Sequence, residues 1–315
     1  MPIILCNDLL TGWLGEKVLW DFLLEDIRDF VPVDKRCNLI FPSTVKEYID
    51  KTYPTSKIIV QNATFMPLID NTKYTISYLQ DNLRGMNRRD NCQEYVLHNS
   101  NLIIANSKYT AHAYSDYNTE IIPIGIDETL FKPLDKRNEK IVNHFITDKY
   151  GSIEKIGIFV GDFSEVKGWS LIKNIIDKRK DIYWILVSKD NQNYNIDNSF
   201  TYNKIDQNKL VSLLNCADFF IIGSPVETQC LAAIEACYCN IPVIMKNTGI
   251  FSEFSDEDKN RVGYIGDDFE TGIEKVLSSK HNPLEVVQEH RLGMKDMIIK
   301  WKDVLNKVKK IVGDL

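Results

Sequence analysis

Short runs of apolar, often β-branched residues recur along the chain. They alternate with stretches whose apolar residues return every three or four positions. The runs predict strands at Pro2–Cys6, Asn38–Phe41, Lys57–Val60, Tyr74–Leu79, Leu102–Ala105 and Glu120–Pro123. A second group follows at Ile156–Val160, Tyr183–Val187, Asp218–Ile222 and Ile241–Met245. Ile156-Gly-Ile-Phe-Val160 and Phe219-Phe-Ile-Ile222 are apolar throughout rather than alternating. Such strands are covered on both faces, as in a parallel sheet crossed by helices. The expected class is α/β, doubly wound.

Residues 127–154 separate the two strand groups. They hold the charge-rich Lys132–Lys140 with Pro133, then a short helical stretch to Tyr150. This reads as a connection between two Rossmann-like domains, 1–128 and 129–296. From about Leu284 to Val312 the pattern is helical. Met297, Ile298, Trp301, Val304, Leu305, Val308, Ile311 and Val312 form a stripe at 3-4 spacing with lysines between them. The stripe needs a surface to cover, and packing of a terminal helix against core is the expectation. A membrane-surface helix is the alternative.

Composition narrows the classes. With 44% apolar and 26% charged residues in 315, the chain is ordinarily globular and long enough for a sizeable core. A formal charge of −6 argues against a general nucleic-acid binder. The seven cysteines are odd in number and scattered, without the spacing of a zinc site. They read as reduced thiols, which points to a cytoplasmic protein. Met1–Asp8 lacks the basic and long apolar regions of a signal peptide, and no run is long enough to span a membrane. Peripheral membrane contact has no strong marker.

The strongest chemical signal is Ser224-Pro-Val-Glu-Thr-Gln-Cys-Leu-Ala-Ala-Ile-Glu-Ala236, which follows the strand Asp218–Ile222 directly. Glu227 is expected in the strand-to-helix loop, and Glu235 two turns into a helix starting near Thr228. Loops at the carboxyl ends of parallel strands form the ligand crevice. A helix start there offers N–H groups to phosphate oxygens. Carboxylates repel phosphate but accept hydrogen bonds from sugar hydroxyls. Two of them flanking a helix start suit a ligand that is sugar, phosphate and sugar in order, which describes a nucleotide sugar. Upstream, Gly161 and Gly168 allow close backbone approach to a ligand. Lys167 puts a cation where a diphosphate could sit. This stretch is neither a P-loop nor a dinucleotide fingerprint. Gly12 and Gly15 form a third, weaker glycine-bearing loop after the first strand. The five histidines form no constellation.

Four segments taken in order resemble glycosyltransferase family 4, the retaining group 1 enzymes of the GT-B fold. Ala105-Asn-Ser-Lys-Tyr-Thr110 is similar to the family's A-N-S-x-x-[ST] strand end. Ile121-Ile-Pro-Ile-Gly-Ile-Asp127 with Leu130-Phe-Lys-Pro133 is similar to its V-I-P-N-G-V-D…F-x-P linker. Ile156–Gly168 is similar to its strand–G-R-x-x-x-x-K-G element, and Ser224–Ala236 to its E-x7-E element. Lys246-Asn-Thr-Gly249 and Glu253 stand where the family has a glycine pair and P-E. The resemblance implies two domains facing a cleft, with helix 297–315 crossing back onto the first. It implies a retaining transfer of a hexose from a UDP- or GDP-sugar to an acceptor hydroxyl on a glycan or glycoconjugate, without a metal or other cofactor. Glu227 would hold the transferred sugar, Glu235 the ribose, and Lys167 the departing diphosphate. Gly161, Gly168 and Ser224 would complete the donor site, together with Thr228, Gln229, Cys230 and Leu231. Gly12, Gly15, Gln80 and Asp81 would line the amino-terminal side.

The chain departs from the family at three points. Asp162 stands in place of the arginine. Thr228-Gln-Cys230 replaces G-F-G, and Gln80 replaces the histidine of an H-D strand end. Asp162 and Gln80 are the features that favour a rival, a non-catalytic relative that binds a nucleotide sugar or a glycan. A nucleotide-sugar epimerase on the same fold is the other alternative.

Overall fold

The computed structural model describes residues 3–7, 29–32, 51, 55, 57–62, 72–80, 88–134, 155–189 and 196–313. The chain divides into two compact units, Met1–Gly125 with Met294–Leu315, and Ile126–Gly293.

The first unit is built on a parallel sheet. Its strands are β1 (Ile3–Asn7), β2 (Asp29–Pro32), β3 (Ile58–Asn62), β4 (Tyr74–Leu79), β5 (Leu102–Ala105) and β6 (Thr119–Ile121), in the order β2-β1-β3-β4-β5-β6. Helices α1 (Arg88–His98) and α2 (Lys108–Ala113) lie between its later strands. The A-N-S segment acts here as a joint. Asn106 donates from Nδ2 to the Gln80 carbonyl at 3.0 Å and accepts from Thr110 Oγ1 at 2.7 Å. Ser107 caps α2 by accepting from the Thr110 N–H at 3.0 Å. The end of β4 is thus tied to the start of α2.

The second unit carries β7 (Ile156–Val160), α3 (Trp169–Lys178), β8 (Tyr183–Ser188), β9 (Ser199–Asn203), α4 (Gln207–Leu214) and β10 (Phe219–Ile222). It continues with α5 (Leu231–Tyr238), β11 (Val243–Met245), α6 (Asp256–Val262), β12 (Gly263–Ile265), α7 (Phe269–Ser278) and α8 (Pro283–Glu289). All its strand pairs are parallel, in the order β12-β11-β10-β7-β8-β9. Counted from β7, that is the 3-2-1-4-5-6 order of a dinucleotide-binding sheet. The order reverses between β7 and β10, the place where such sheets bind ligands. The apolar runs of β8 and β10 are buried along their full length. Trp184 stacks edge-on against Phe219 at 5.6 Å across the Gly157 backbone, where a Cβ would meet the Trp184 ring at 2.5 Å.

Several elements differ from the sequence expectation. The strands β2, β9 and β12 carry no apolar run long enough to announce them. The predicted strand Asn38–Phe41 lies outside the described residues, as does the helical stretch before Tyr150. Residues 126–134 do not form a free linker. Phe131 is buried in the core of the second unit, and Asn215 accepts from the Leu134 N–H and donates to the Lys132 carbonyl. The first boundary therefore falls at Gly125, not at 128. The tail is two helices rather than one. The chain breaks at His290–Gly293, where Arg291 has φ +55°, before α9 (Met294–Gly313) begins. Ile126 pairs with Gly293 and donates its N–H to Leu292, so both chain crossings are fixed side by side.

Helix α9 belongs to the first unit. Trp301, fully buried, meets the ring of Tyr78 on β4 edge-on at 5.3 Å. The Met297 sulfur accepts from the Gly125 N–H at 3.1 Å. No helix among the described residues is long and apolar enough to cross a membrane. Trp301→Ala should destabilise the first unit by about 3–5 kcal/mol, the usual cost of deleting a buried tryptophan. Chemical denaturation followed by far-UV dichroism would measure this, and an unchanged midpoint would contradict the packing described.

Candidate functional site

The site is built where β7 and β10 end. After Val160 the chain turns through Gly161–Ser164 into a 3-10 turn, Glu165–Lys167, and then into α3. Phe163 packs tilted against Trp169 at 4.4 Å and Trp169 against Phe159 at 5.4 Å, so an aromatic cluster anchors the loop to the core. Gly168 has φ +67° and faces Gly223, at the end of β10. A Cβ on Gly168 would lie 2.1 Å from the Gly223 carbonyl oxygen. Only glycine accepts both the left-handed conformation and that backbone approach. At Gly161 a Cβ would meet the Lys167 side-chain stem at 3.3 Å, so the lysine lies across the glycine.

This approach joins the two charged groups. Lys167 Nζ donates to Glu227 Oε1 at 2.7 Å, with side chains only 18% and 11% exposed. Burial alone would lower the lysine pKa. The Glu227 charge and hydrogen bond outweigh it, and the ammonium is held above its ordinary range. Glu227 is itself fixed through its backbone. Its N–H donates to Thr248 Oγ1 at 3.0 Å, and the Thr248 hydroxyl reaches the Glu227 carbonyl at 3.4 Å. Gly249, at φ +59°, packs against the same peptide, where a Cβ would meet the Glu227 carbonyl oxygen at 2.9 Å. Thr248 was not singled out by the sequence. The signal available was its place before a glycine at the end of β11.

Helix α5 begins at Leu231, three residues later than the pattern suggests, because Thr228–Cys230 form its entry turn. Cys230 caps it in the left-handed conformation at φ 60°, a position that favours glycine. Burial first, and then the Glu227 charge, push the Cys230 thiol well up, so it is a neutral filler of the turn. Glu235 consequently sits one turn into the helix rather than two. Burial raises its carboxyl to about 8, so it is largely protonated at neutral pH. Gln229 is buried, and so is Ser224, whose Oγ has no hydrogen-bond partner among the described residues. The anion Asp162 is met by Lys189 at the end of β8, 3.2 Å away.

The structure thus brings Gly161, Lys167, Gly168, Ser224 and Glu227 together with Thr228, Gln229, Cys230, Leu231 and Glu235, all in the second unit. In the first unit Gln80 ends β4. It is buried, and its Nε2 has no hydrogen-bond partner among the described residues. Gly12, Gly15 and Asp81 lie outside the described residues. Among the described residues no group of three or more His, Cys, Asp or Glu side chains could hold a metal ion. Cys216, Cys230, Cys237 and Cys239 are buried thiols outside any disulfide.

Residues 148–292, nearly all of the second unit, match the family model of glycosyl transferases group 1. No curated protein matches the chain. Among solved structures, the chain is similar to Anabaena HepE in complex with UDP, with a TM-score of 0.75 and 14% identity, covering 98% of this chain and 100% of that one. The same protein with UDP-glucose gives 0.71 and 13%, covering 97% and 99%. Sucrose-phosphate synthase from Thermosynechococcus elongatus gives 0.69 and 17%, covering 86% and 78%. WaaG, a glycosyltransferase involved in lipopolysaccharide biosynthesis, gives 0.63 and 12%, covering 94% and 93%. The fold is that of the GT-B glycosyltransferases. The match to the group 1 glycosyl transferases falls within the second unit.

Two tests follow from the geometry. Thr248→Val keeps the shape but removes both hydrogen bonds to Glu227. Turnover should fall about tenfold or more with little change in nucleotide affinity, from local loss of order 1–3 kcal/mol, and Thr248→Ser should restore it. Equal losses in both variants would mean that packing, not the hydroxyl, holds the loop. Glu235 gives a pH signature. Between the ordinary carboxylate range and about 8 the folded chain keeps a proton that the unfolded chain has released. Its contribution to stability is present at low pH and is lost as pH rises through that window, by at most about 1.4 kcal/mol per unit. Glu235→Gln should therefore melt progressively higher than the parent from pH 5 to 8, and parallel melting curves would refute the raised carboxyl.

Proposed function

We propose that the protein is a retaining glycosyltransferase that moves a hexose from a UDP- or GDP-sugar to an acceptor hydroxyl of a glycan or glycoconjugate. The observation that carries this is the half-buried Lys167–Glu227 pair between the ends of β7 and β10, beside the start of α5. A diphosphate at that start would meet Lys167 and the first N–H groups of the helix, which have no partner within the helix. Glu227, one turn of chain away, would accept from hydroxyls of the sugar, and Glu235, once ionised, from the ribose. Ser224 Oγ, buried and unpaired, is a further donor for a ligand oxygen.

The chemistry then has an order. The bond between the anomeric carbon and the diphosphate oxygen lengthens and charge collects on the leaving oxygens. Lys167 and the helix start meet that charge in a site from which water is largely excluded. The acceptor hydroxyl attacks from the face the diphosphate leaves, and its proton passes to the leaving phosphate. The new bond keeps the anomeric configuration. In this reading the cation and the helix do the work that a divalent ion does elsewhere, so no resident metal is required. Gln80, with its unpaired amide, and Asp81 would position sugar or acceptor. The UDP and UDP-glucose carried by HepE support a uracil nucleotide as the first donor to try. Reduced, buried cysteines support a cytoplasmic setting.

Glu227→Ala should lower sugar transfer by at least about a hundredfold, the scale of losing a group that acts on the reacting sugar, while nucleotide binding persists. Release of nucleoside diphosphate from UDP- and GDP-sugars with a hydroxyl-acceptor library measures it. Undiminished turnover in the variant would sink the assignment. Conversion of donor without release of diphosphate would point to an epimerase.

A further inference from the structure

Resting on the donor site just proposed, we propose that the Lys167–Glu227 ion pair is a latch that makes the site discriminate between the intact sugar nucleotide and its own product, the bare nucleoside diphosphate. The two groups do not stand apart, one for phosphate and one for sugar. They hold each other at 2.7 Å, with little exposure of either side chain. Little is free to move on the Glu227 side. Thr248 binds its N–H, and Gly249 packs against its carbonyl. On the Lys167 side, the stem lies across Gly161, and Gly168 is locked to Gly223. The pair is therefore the resting state of a preorganised loop pair, not two long side chains meeting by chance at the surface.

A bare diphosphate entering this site meets a cation that is already neutralised. It must draw Lys167 from Glu227 and then lie close to a carboxylate that has lost its partner. Leaving a poorly solvated charge unpaired is costly. An intact sugar nucleotide faces no such penalty, because its sugar hydroxyls donate to Glu227 as Lys167 turns to the diphosphate. Each group changes partner and neither is stranded. After transfer the sugar leaves with the acceptor, Glu227 loses its donors, and the ion pair re-forms in competition with the diphosphate. The latch thus sets both the preference for donor over product and the ease of product departure. No proton or covalent change accompanies it.

The other charges facing the pair do not supply this competition. Asp162 is met by Lys189, and the thiol of Cys230 stays neutral. Burial raises the Glu235 carboxyl to about 8, so it is largely protonated at neutral pH. Glu227 is the carboxylate that Lys167 meets at 2.7 Å, and its charge acts on the ammonium more strongly than that of Asp162.

The test is a binding cycle on the full chain. UDP and GDP, and a matching sugar nucleotide, are titrated calorimetrically into the parent, Glu227→Gln, Lys167→Met and the double variant. Glu227→Gln keeps the shape and hydrogen-bonding reach but frees the lysine charge. It should bind the bare diphosphate about tenfold more tightly, since the binding-competent lysine is no longer mostly occupied, and should gain less or nothing for the sugar nucleotide. The gain should vanish when Lys167→Met is added. Glu227→Asp, too short to hold the contact, should move in the same direction and guards against a folding defect in the first variant. Unchanged or weaker diphosphate binding in both Glu227 variants, with Lys167→Met still weakening it, would overturn the latch and leave the donor site standing. Absence of nucleotide binding in every chain, the parent included, would remove the donor site and the latch with it.

Discussion

The backbones of Gly168 and Gly223 come so close that a single methyl on the first would lie 2.1 Å from the carbonyl oxygen of the second. Every other distance in the site depends on that approach. One glycine opens α3 and the other closes β10, so their contact joins the two loops on either side of the point where the strand order reverses. A residue with a side chain at either position would push the loops apart and carry Lys167 away from Glu227. The parallel sheet supplies the frame for this. Its central strands are apolar on both faces and cannot shift register without exposing that surface. The aromatic stack of Phe159, Phe163 and Trp169 then fixes the loop from beneath.

Around this contact the site handles charge in three ways. Lys167 and Glu227 neutralise each other at contact. Asp162 is offset by Lys189. Glu235 meets no cation in an ion pair among the described residues and keeps a proton instead, which is how a poorly solvated carboxyl avoids the cost of an unpaired charge. The charges of the site are therefore close to balanced among themselves. A ligand that is anionic in the middle and rich in hydroxyls at both ends can replace each internal partner with one of its own. A simple anion cannot, because it satisfies the lysine and abandons the carboxylate.

Much of this was legible in the sequence, for reasons that can be stated. Strands at the centre of a parallel sheet must be apolar throughout, so β7, β8 and β10 appear as short unbroken runs. Edge strands have no such demand. β9, Ser199–Asn203, reads Ser-Phe-Thr-Tyr-Asn and is recognisable only from its pairing with β8. β12 is three residues long and begins with a glycine. The carboxylates and the lysine were marked by their positions next to strands. The start of α5 was misplaced because its entry turn is closed by a cysteine in a conformation where glycine is expected. Thr248 showed only as the residue before Gly249, and its role lies in two hydrogen bonds to a backbone twenty-one positions away. Pairwise backbone contacts of this kind are a property of the folded loops and not of any local pattern.

Asp162 looked from sequence alone like a defect in a phosphate site, an anion where a cation was expected. The fold changes its meaning, because β8 runs beside β7 and its final turn delivers Lys189 to the same edge. The positive charge has not been lost from this edge of the sheet. It has moved to the neighbouring strand, and the carboxylate orients it. That pair is much more exposed than Lys167–Glu227, at 70% and 36%, so solvent weakens it and Lys189 can leave Asp162 at little cost. The two ion pairs therefore differ in kind. The exposed one is loose and weakened by solvent. The enclosed one is tight and opens only for a ligand that gives Glu227 something in return.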